Sequence, residues 1–260
     1  MKTLRLIIFL ILVVLFNSCI FEAFNCIEGY GNIETDYRDV SGFNEIESLG
    51  SFDVYISYDN DYSCKVVAEE NLMHYIITEK ESGRLKIRTL DYRCLSPTKS
   101  IKIYITAPEL YAVTLAGSGM IDCGEFNTSE MDLTLAGSGD IYINKLTTDD
   151  LNVSCSGSGN IEITDQNVKN IKLKISGSGN IKATGIADFG NFTISGSGNI
   201  KSRELNLLEL KATISGSGNI YSNVQDYLNV NISGSGNLYY TGHPDIDVNI
   251  SGSGSIKNNN

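Results

Sequence analysis

Few side chains in this sequence are of a type and spacing that could perform catalysis. Glycoside cleavage needs a positioned pair of acid and base groups. The candidate carboxylates recur with no basic or histidine partner; they are Asp122, Asp140, Glu162 and Asp165. The sequence therefore predicts a protein that is not an enzyme.

The cysteines do not form a metal-binding pattern. The chain has 6 cysteines and 2 histidines, with no CxxC pair, so we expect no zinc site, no other metal and no cofactor. Disulfides are allowed in an exported chain. Cys64 and Cys94 each follow a polar, tyrosine-containing stretch, and if any pair is bridged we predict this one. Cys123 and Cys155 fall at apolar positions of a repeat and are interpreted as small core residues.

The first residues have the composition of an export signal. Lys2 and Arg5 precede an apolar run too short to span a bilayer comfortably, and Ser18 stands directly before Cys19. This resembles a lipobox; an ordinary signal peptide cleaved elsewhere is the alternative. We predict a signal peptide over residues 1–18, lipidation at Cys19, a linker over residues 19–36 and an outer-membrane lipoprotein, periplasmic or surface-exposed, held to the membrane by its lipid anchor.

The charge balance excludes one class of partner. The chain carries 31 acidic and 20 basic residues, a formal net charge of −11. Nucleic acid requires a basic footprint, so no nucleic-acid partner is expected. Much of the acidity serves solubility.

A tripeptide repeat determines the expected fold. Gly-Ser-Gly recurs every 18 to 20 residues, beginning at Gly117, Gly137, Gly157, Gly177, Gly196, Gly216, Gly234 and Gly252. Before each copy, apolar and polar residues alternate, as in a strand with one buried face. One column of these apolar positions contains Leu133, Val153, Leu173 and Phe192. The glycines are expected to allow a sharp corner, often at positive φ.

Repeats of this length are typical of a solenoid, in which each turn buries its apolar face against its neighbours. We predict an all-β protein, a right-handed parallel β-helix (β-solenoid) of about eight coils of 18–20 residues over residues 113–260. Each coil is expected to contain a strand, the corner, a short second strand and a variable loop. Residues 37–112 lack the repeat but are strand-rich and are expected to form the N-terminal cap, with a degenerate corner at Leu49-Gly50-Ser51.

The position after each Gly-Ser-Gly is usually asparagine. We predict a structural ladder in which each side-chain amide bonds to the next coil, formed by Asn160, Asn180, Asn199, Asn219 and Asn237. A ridge that binds a cation or a sugar is the alternative interpretation.

Several stretches resemble a known family. Residues 40–46, 52–57 and 101–110, followed by repeated Ser-Gly-Ser-Gly-Asn-Ile, are similar to the auto-transporter adhesin head GIN domain family over residues 38–256. That resemblance implies an exported protein of a kind abundant in Bacteroidetes, a β-helix-like fold and an adhesion role, and it offers no catalytic residues.

Three functional classes follow. The preferred one is a lipid-anchored adhesin or surface scaffold that presents a solenoid face, including a Thr/Asn/Lys column, to a glycan or protein. The alternatives are an envelope signalling or stress accessory that binds another envelope protein, and a polysaccharide-degrading β-helix enzyme. The last coil lacks an obvious cap, so weak end-to-end homodimerisation is also expected.

Overall fold

A computed structural model describes residues 26–260 of the chain. The predicted signal peptide and Cys19 lie outside the described residues. The strands, in chain order, are β1 (Ile27–Glu28), β2 (Ile33–Tyr37), β3 (Glu45–Leu49), β4 (Asp53–Tyr58), β5 (Ser63–Glu69), β6 (Ile76–Glu81), β7 (Arg84–Thr89), β8 (Leu95–Ser96), β9 (Lys102–Ala107), β10 (Ala112–Leu115), β11 (Met120–Asn127), β12 (Glu130–Leu135), β13 (Asp140–Cys155), β14 (Asn160–Ile175), β15 (Asn180–Ile194), β16 (Ile200–Ile214), β17 (Ile220–Ile232), β18 (Leu238–Thr241), β19 (Asp245–Ile250) and β20 (Ile256–Asn258). Two short 3-10 helices span Met73–Tyr75 and Leu90–Tyr92.

The repeats form a β-solenoid of about seven turns, which confirms the predicted fold class; the expected number of coils was about eight. Strands β13 to β17 each run from one Gly-Ser-Gly corner to the next and pair in parallel with their neighbours. The positions expected to be a variable loop belong to these strands. In the pairings β14–β15, β15–β16 and β16–β17 the register shifts at these positions, because neighbouring coils differ in length there.

The apolar columns fill the interior, as predicted. Leu133 pairs with Val153, Val153 with Leu173, and Leu173 with Phe192, and all four side chains are buried. Burying such side chains in contact with the next coil is the main source of stability in a solenoid.

The corner glycines are required by close packing between coils and not by unusual dihedral angles. A Cβ at Gly137 would overlap the carbonyl oxygen of Gly117 directly below it. The expectation of positive φ at these corners was wrong, since the glycines with positive φ are Gly31, Gly42, Gly83, Gly185 and Gly242. A side chain at the corner would force successive coils apart.

The solenoid begins inside the N-terminal part. β3 pairs in parallel with β10 and β4 with β11, so Gly50 lies below the first Gly-Ser-Gly corner. β7 lies beneath β3 and β9 beneath β4, although both follow them in the chain. The end is closed by antiparallel strands: β6 pairs with β7, β5 with β9, and β2 with β5. The region predicted as a linker, residues 19–36, contains β1 and most of β2.

The predicted Cys64–Cys94 disulfide is wrong. Cys94 is bonded to Cys26, with a Cα–Cα distance of 4.5 Å, while Cys64 is a free thiol. Cys64 lies on β5 with its side chain in the core, so it cannot reach the surface segment that carries Cys94. β1 and β8 pair in parallel directly beside the disulfide and bring Cys26 to this position.

Candidate binding face

The outer face of the strand segments that follow each corner carries an ordered column of large side chains. We call it the tyrosine–lysine column; it consists of Tyr104, Tyr55, Asp122, Tyr142, Glu162, Lys182, Lys201, Tyr221, Tyr239 and Lys257, in register from coil to coil. Coils in such a sheet are about 4.8 Å apart, so each member lies within contact distance of the next.

Four of the five tyrosines of this column stack in pairs, and three of these also contact a cation. The rings of Tyr55 and Tyr104 are 5.1 Å apart with an interplanar angle of 15°, and those of Tyr221 and Tyr239 are 5.0 Å apart at 8°. Arg203 lies 5.0 Å from the centre of the Tyr221 ring. Because the ring faces point along the solenoid axis, the ring edges and the hydroxyl groups are what this face presents to a partner.

The asparagine ladder lies directly beside this column. In the coils nearer the C-terminus, each ladder asparagine donates twice to the side-chain oxygen of the asparagine in the preceding coil, once from its backbone N–H and once from its side-chain amide. Asn199 donates to Asn180 at 3.1 and 3.0 Å, and Asn219 donates to Asn199 at 3.0 and 3.2 Å. Asp140 accepts from Asn160 at the lower end, and Ser255 donates to Asn237 at the upper end. These amides hold the coils together and leave the column beside them in a fixed position.

A groove with a volume of about 540 Å³ lies on this face between β15, β16 and β17. Three cations line it: Lys182, Lys201 and Arg203. We call it the basic groove. In β16 three residues separate Ser202 from Asn206, whereas their partners in β17, Ser222 and Asn223, are adjacent. The extra residues of β16 place Arg203 and Glu204 at the rim, as bulges often do beside a site.

The cations of the basic groove differ in how they are paired. Lys182 Nζ donates to Glu162 at 2.7 Å, and this hydrogen bond raises the pKa of the Lys182 ammonium above its usual value. Among the described residues, Lys201 and Arg203 form no ion pair with a carboxylate. Two exposed cations therefore have no carboxylate partner in a chain that carries an excess of acidic residues, and Arg203 Nη2 also lies 2.8 Å from the side-chain amide of Asn259.

A second outer face carries the Thr/Asn/Lys column noted in the sequence. Thr134, Ser154, Lys174 and Thr193 are in register there, and Lys172 stands beside Lys174. The side chains of Lys172 and Lys174 line a smaller groove, of about 450 Å³, with Asp132 and Asn152. The stacked tyrosine pairs found within residues 26–260 lie on the other face.

Three of the four carboxylates considered for catalysis form hydrogen bonds with neighbouring side chains. Asp122 accepts from Asn144 at 2.8 Å, Asp140 accepts from Asn160, and Glu162 pairs with Lys182. Asp165 has a backbone φ of 50° and its N–H donates to Thr184. Three of the four, Asp122, Asp140 and Glu162, lie around Tyr142 on adjacent coils. Within residues 26–260, no cluster of three or more histidine, cysteine or acidic residues could hold a metal ion.

The free cysteines lie in the core. Burial raises the pKa of Cys64 to about 11 and also raises the pKa of Cys123 and of Cys155. Their thiols are therefore protonated at neutral pH, and the reactive thiolate form is rare.

Among residues 26–260, no helical segment has both the length and the apolar composition that a membrane span requires.

The tyrosine–lysine column was not predicted from the sequence. From Asp122 onward, its members occupy one position of the repeat, directly after the isoleucine or leucine that follows each corner, but their residue types vary between tyrosine, lysine and acid. Aligning the repeats at the corner and comparing that outward position would have revealed the two adjacent tyrosines, Tyr221 and Tyr239, and the neighbouring lysines.

Comparison with known proteins identifies the family. The family model described as "Putative auto-transporter adhesin, head GIN domain" matches residues 42–244. No curated protein matches the chain. A crystal structure named as a putative lipid binding protein from Parabacteroides distasonis is 31% identical, with a TM-score of 0.86, and the match covers 91% of this chain and 100% of that one.

Two further crystal structures share the fold. One, named as a putative adhesin from Parabacteroides merdae, has a TM-score of 0.86 at 20% identity over 91% of this chain and 100% of that one. The other, named as a putative adhesin from Bacteroides fragilis, has a TM-score of 0.71 at 24% identity over 89% and 99%. Together with the glycine corners and the stacked coils, the match over residues 42–244 shows that this chain belongs to the auto-transporter adhesin head GIN domain family.

Proposed function

We propose that the protein is a non-catalytic adhesin or surface scaffold of the cell envelope, held to the outer membrane by lipid on Cys19. Its solenoid presents an outer face to a glycan or protein partner. The observation that carries this proposal is the tyrosine–lysine column, a row of outward side chains fixed in register by the asparagine ladder beside it. A rigid, ordered row loses little conformational entropy on binding.

Two further findings support an adhesive role. The family is described by the word adhesin, and two of the structural neighbours carry the same description. Three of the four candidate carboxylates, Asp122, Asp140 and Glu162, are engaged in hydrogen bonds to Asn144, Asn160 and Lys182, which favours a structural role for them.

Adhesion of intact cells tests this proposal. The full chain is expressed in a Bacteroidetes host that lacks its own copy, and binding of the cells to immobilised glycans and to envelope extracts is measured. We expect adhesion above that of the parent strain, and its loss in a Cys19→Ala variant that is made but released from the membrane. Protease treatment of the intact cells distinguishes surface from periplasmic exposure. Equal adhesion of cells with and without the protein would contradict the proposal.

A second candidate function is contact with lipid. Four apolar side chains are well exposed on the successive strands β15, β16 and β17; they are Ile186, Phe189, Leu208 and Tyr227. Phe189 and Tyr227 line one groove. The 31% identical neighbour named as a putative lipid binding protein supports this candidate. Flotation of the full chain with liposomes tests it: we expect Phe189→Ser to reduce flotation and Tyr92→Ser, at an exposed tyrosine of the N-terminal end, to leave it unchanged.

A further inference from the structure

We propose that the basic groove binds the carboxylate groups of an acidic polysaccharide, that is, a glycan chain built from uronic acids. This inference rests on the proposed function and specifies the partner of the same face. The two cations without a carboxylate partner, Lys201 and Arg203, and the paired Lys182 line one groove, together with the hydroxyl-bearing ring of Tyr221.

The local charge is opposite to that of the whole protein. The chain carries 31 acidic and 20 basic residues, yet three cations and one carboxylate, Glu204, line this groove. A cation that lacks an ion-pair partner and is held on a rigid sheet is well suited to an anionic ligand, and a guanidinium can bind a carboxylate through two parallel hydrogen bonds.

The spacing of the cations suits a polymer. Lys182 and Lys201 are paired across adjacent coils, so their backbones are about 4.8 Å apart. This separation is close to the length of one sugar residue in an extended polysaccharide. A chain lying along the solenoid axis would place successive sugars beside Lys182, Lys201 and the Tyr221 hydroxyl. Asn199 and Asn219 add polar groups at the edge of the groove for sugar hydroxyls.

An anionic membrane surface is a poorer fit to the same groove. Attraction to anionic lipid depends on many basic residues within a screening length of the surface, and a protein with a net charge of −11 is repelled there. A single glycan chain contacts the groove locally. The lining also contains no strongly exposed aliphatic side chain that would insert among acyl chains.

The Lys201→Gln/Arg203→Gln double variant tests the inference. Binding of the purified full chain to polygalacturonate, alginate and hyaluronan is measured, with dextran as the neutral glycan and phosphatidylglycerol vesicles as the lipid surface. The matched control is Lys172→Gln/Lys174→Gln, which removes the same charge from the other outer face. Melting temperatures of both variants confirm that they fold.

We expect the wild-type chain to bind at least one of the three polyuronates and not dextran, with affinity that weakens as salt is raised. The groove variant should lose about tenfold in affinity, as expected when charge-assisted hydrogen bonds are removed, and the control should lose less than about twofold. Lys201→Arg, which keeps the charge, should retain binding.

Three results would overturn the inference. They are binding to none of the polyuronates, an equal loss in the groove and control variants, and binding to the vesicles alone. Adhesion of cells distinguishes this failure from failure of the proposed function. If cells that display the protein adhere and the groove variant adheres equally well, the groove is not the site but the adhesin proposal stands.

Discussion

The side-chain oxygen of Asn199 accepts two hydrogen bonds from Asn219, one from its backbone N–H at 3.0 Å and one from its side-chain amide at 3.2 Å. The same arrangement joins Asn237 to Asn219 one coil further along. Each amide therefore satisfies a backbone donor that the corner leaves without a strand partner. One asparagine in each of these coils therefore links its coil to the next by hydrogen bonds.

Removal of one ladder residue should weaken the fold measurably. Asn199→Ala leaves the backbone N–H of Asn219 without its acceptor, and we expect a loss of about 1–3 kcal/mol in the free energy of unfolding. Urea denaturation followed by circular dichroism measures it. The control is Asn144→Ala, which removes an exposed hydrogen bond to Asp122 and should cost less than about 0.5 kcal/mol. Equal losses in the two variants would show that the ladder has no special role.

The corner glycines should be far less tolerant of substitution than a glycine within a strand. In Gly137→Ala the new Cβ would overlap the Gly117 carbonyl oxygen, so adjacent coils must separate, and we expect a loss of at least about 3 kcal/mol or failure to fold. Gly124 is the matched control, because a Cβ there meets its nearest atom, the carbonyl oxygen of Ile56, at an ordinary 3.5 Å. Melting temperatures of Gly137→Ala and Gly124→Ala give the comparison, and similar values would contradict the packing explanation.

The repeat-bearing half of the fold could be predicted from the sequence because each coil carries similar residue types at the same structural position. A glycine corner and an alternating strand are local sequence patterns. Stacking then places residues of similar type above one another, as for the apolar pair Leu133 and Val153. The asparagine column could be recognised for the same reason.

The N-terminal end was not accessible in the same way. β7 lies beneath β3 although it follows β3 in the chain, and neither strand carries a repeated sequence motif that would indicate this pairing. The partner of Cys94 depended on where residues 26–28 lie, which is decided by the short pairing of β1 with β8. The tyrosine–lysine column was missed because solvent-facing positions tolerate many residue types, so its members vary while the buried column beside them does not.

The Cys26–Cys94 disulfide should stabilise the N-terminal end. It joins residues 68 positions apart, and a native disulfide typically contributes about 2–4 kcal/mol to the free energy of unfolding. We expect Cys94→Ser to lower the melting temperature and Cys64→Ser to leave the disulfide in place.

Peptide mapping without reduction checks the connectivity directly. A linked peptide containing Cys26 and Cys94 is expected, and a peptide linking Cys64 to Cys94 would contradict the structure. Because burial raises the pKa of Cys64 to about 11, its thiol should resist alkylation by iodoacetamide at neutral pH until the protein is unfolded.

The last coil presents an apolar edge that should promote weak self-association. Ile246, Val248 and Ile250 on β19 are 43%, 39% and 39% exposed, whereas the residues below them in β17 are buried. Within the described residues β19 pairs only with β17, so its other edge has unpaired backbone groups. Such an edge can pair with the same edge of a second copy related by a two-fold axis.

The Val248→Lys variant tests this association, because a lysine on an edge strand opposes pairing and places two like charges together at the two-fold axis. We expect the wild-type chain to show a concentration-dependent dimer in analytical ultracentrifugation and the variant to remain monomeric. Phe189→Lys, at an apolar position that is 50% exposed and does not belong to β19, is the control and should dimerise like the wild type. A wild-type chain that stays monomeric at the highest attainable concentration would show that the edge does not pair, and dimerisation of Val248→Lys would place the contact elsewhere.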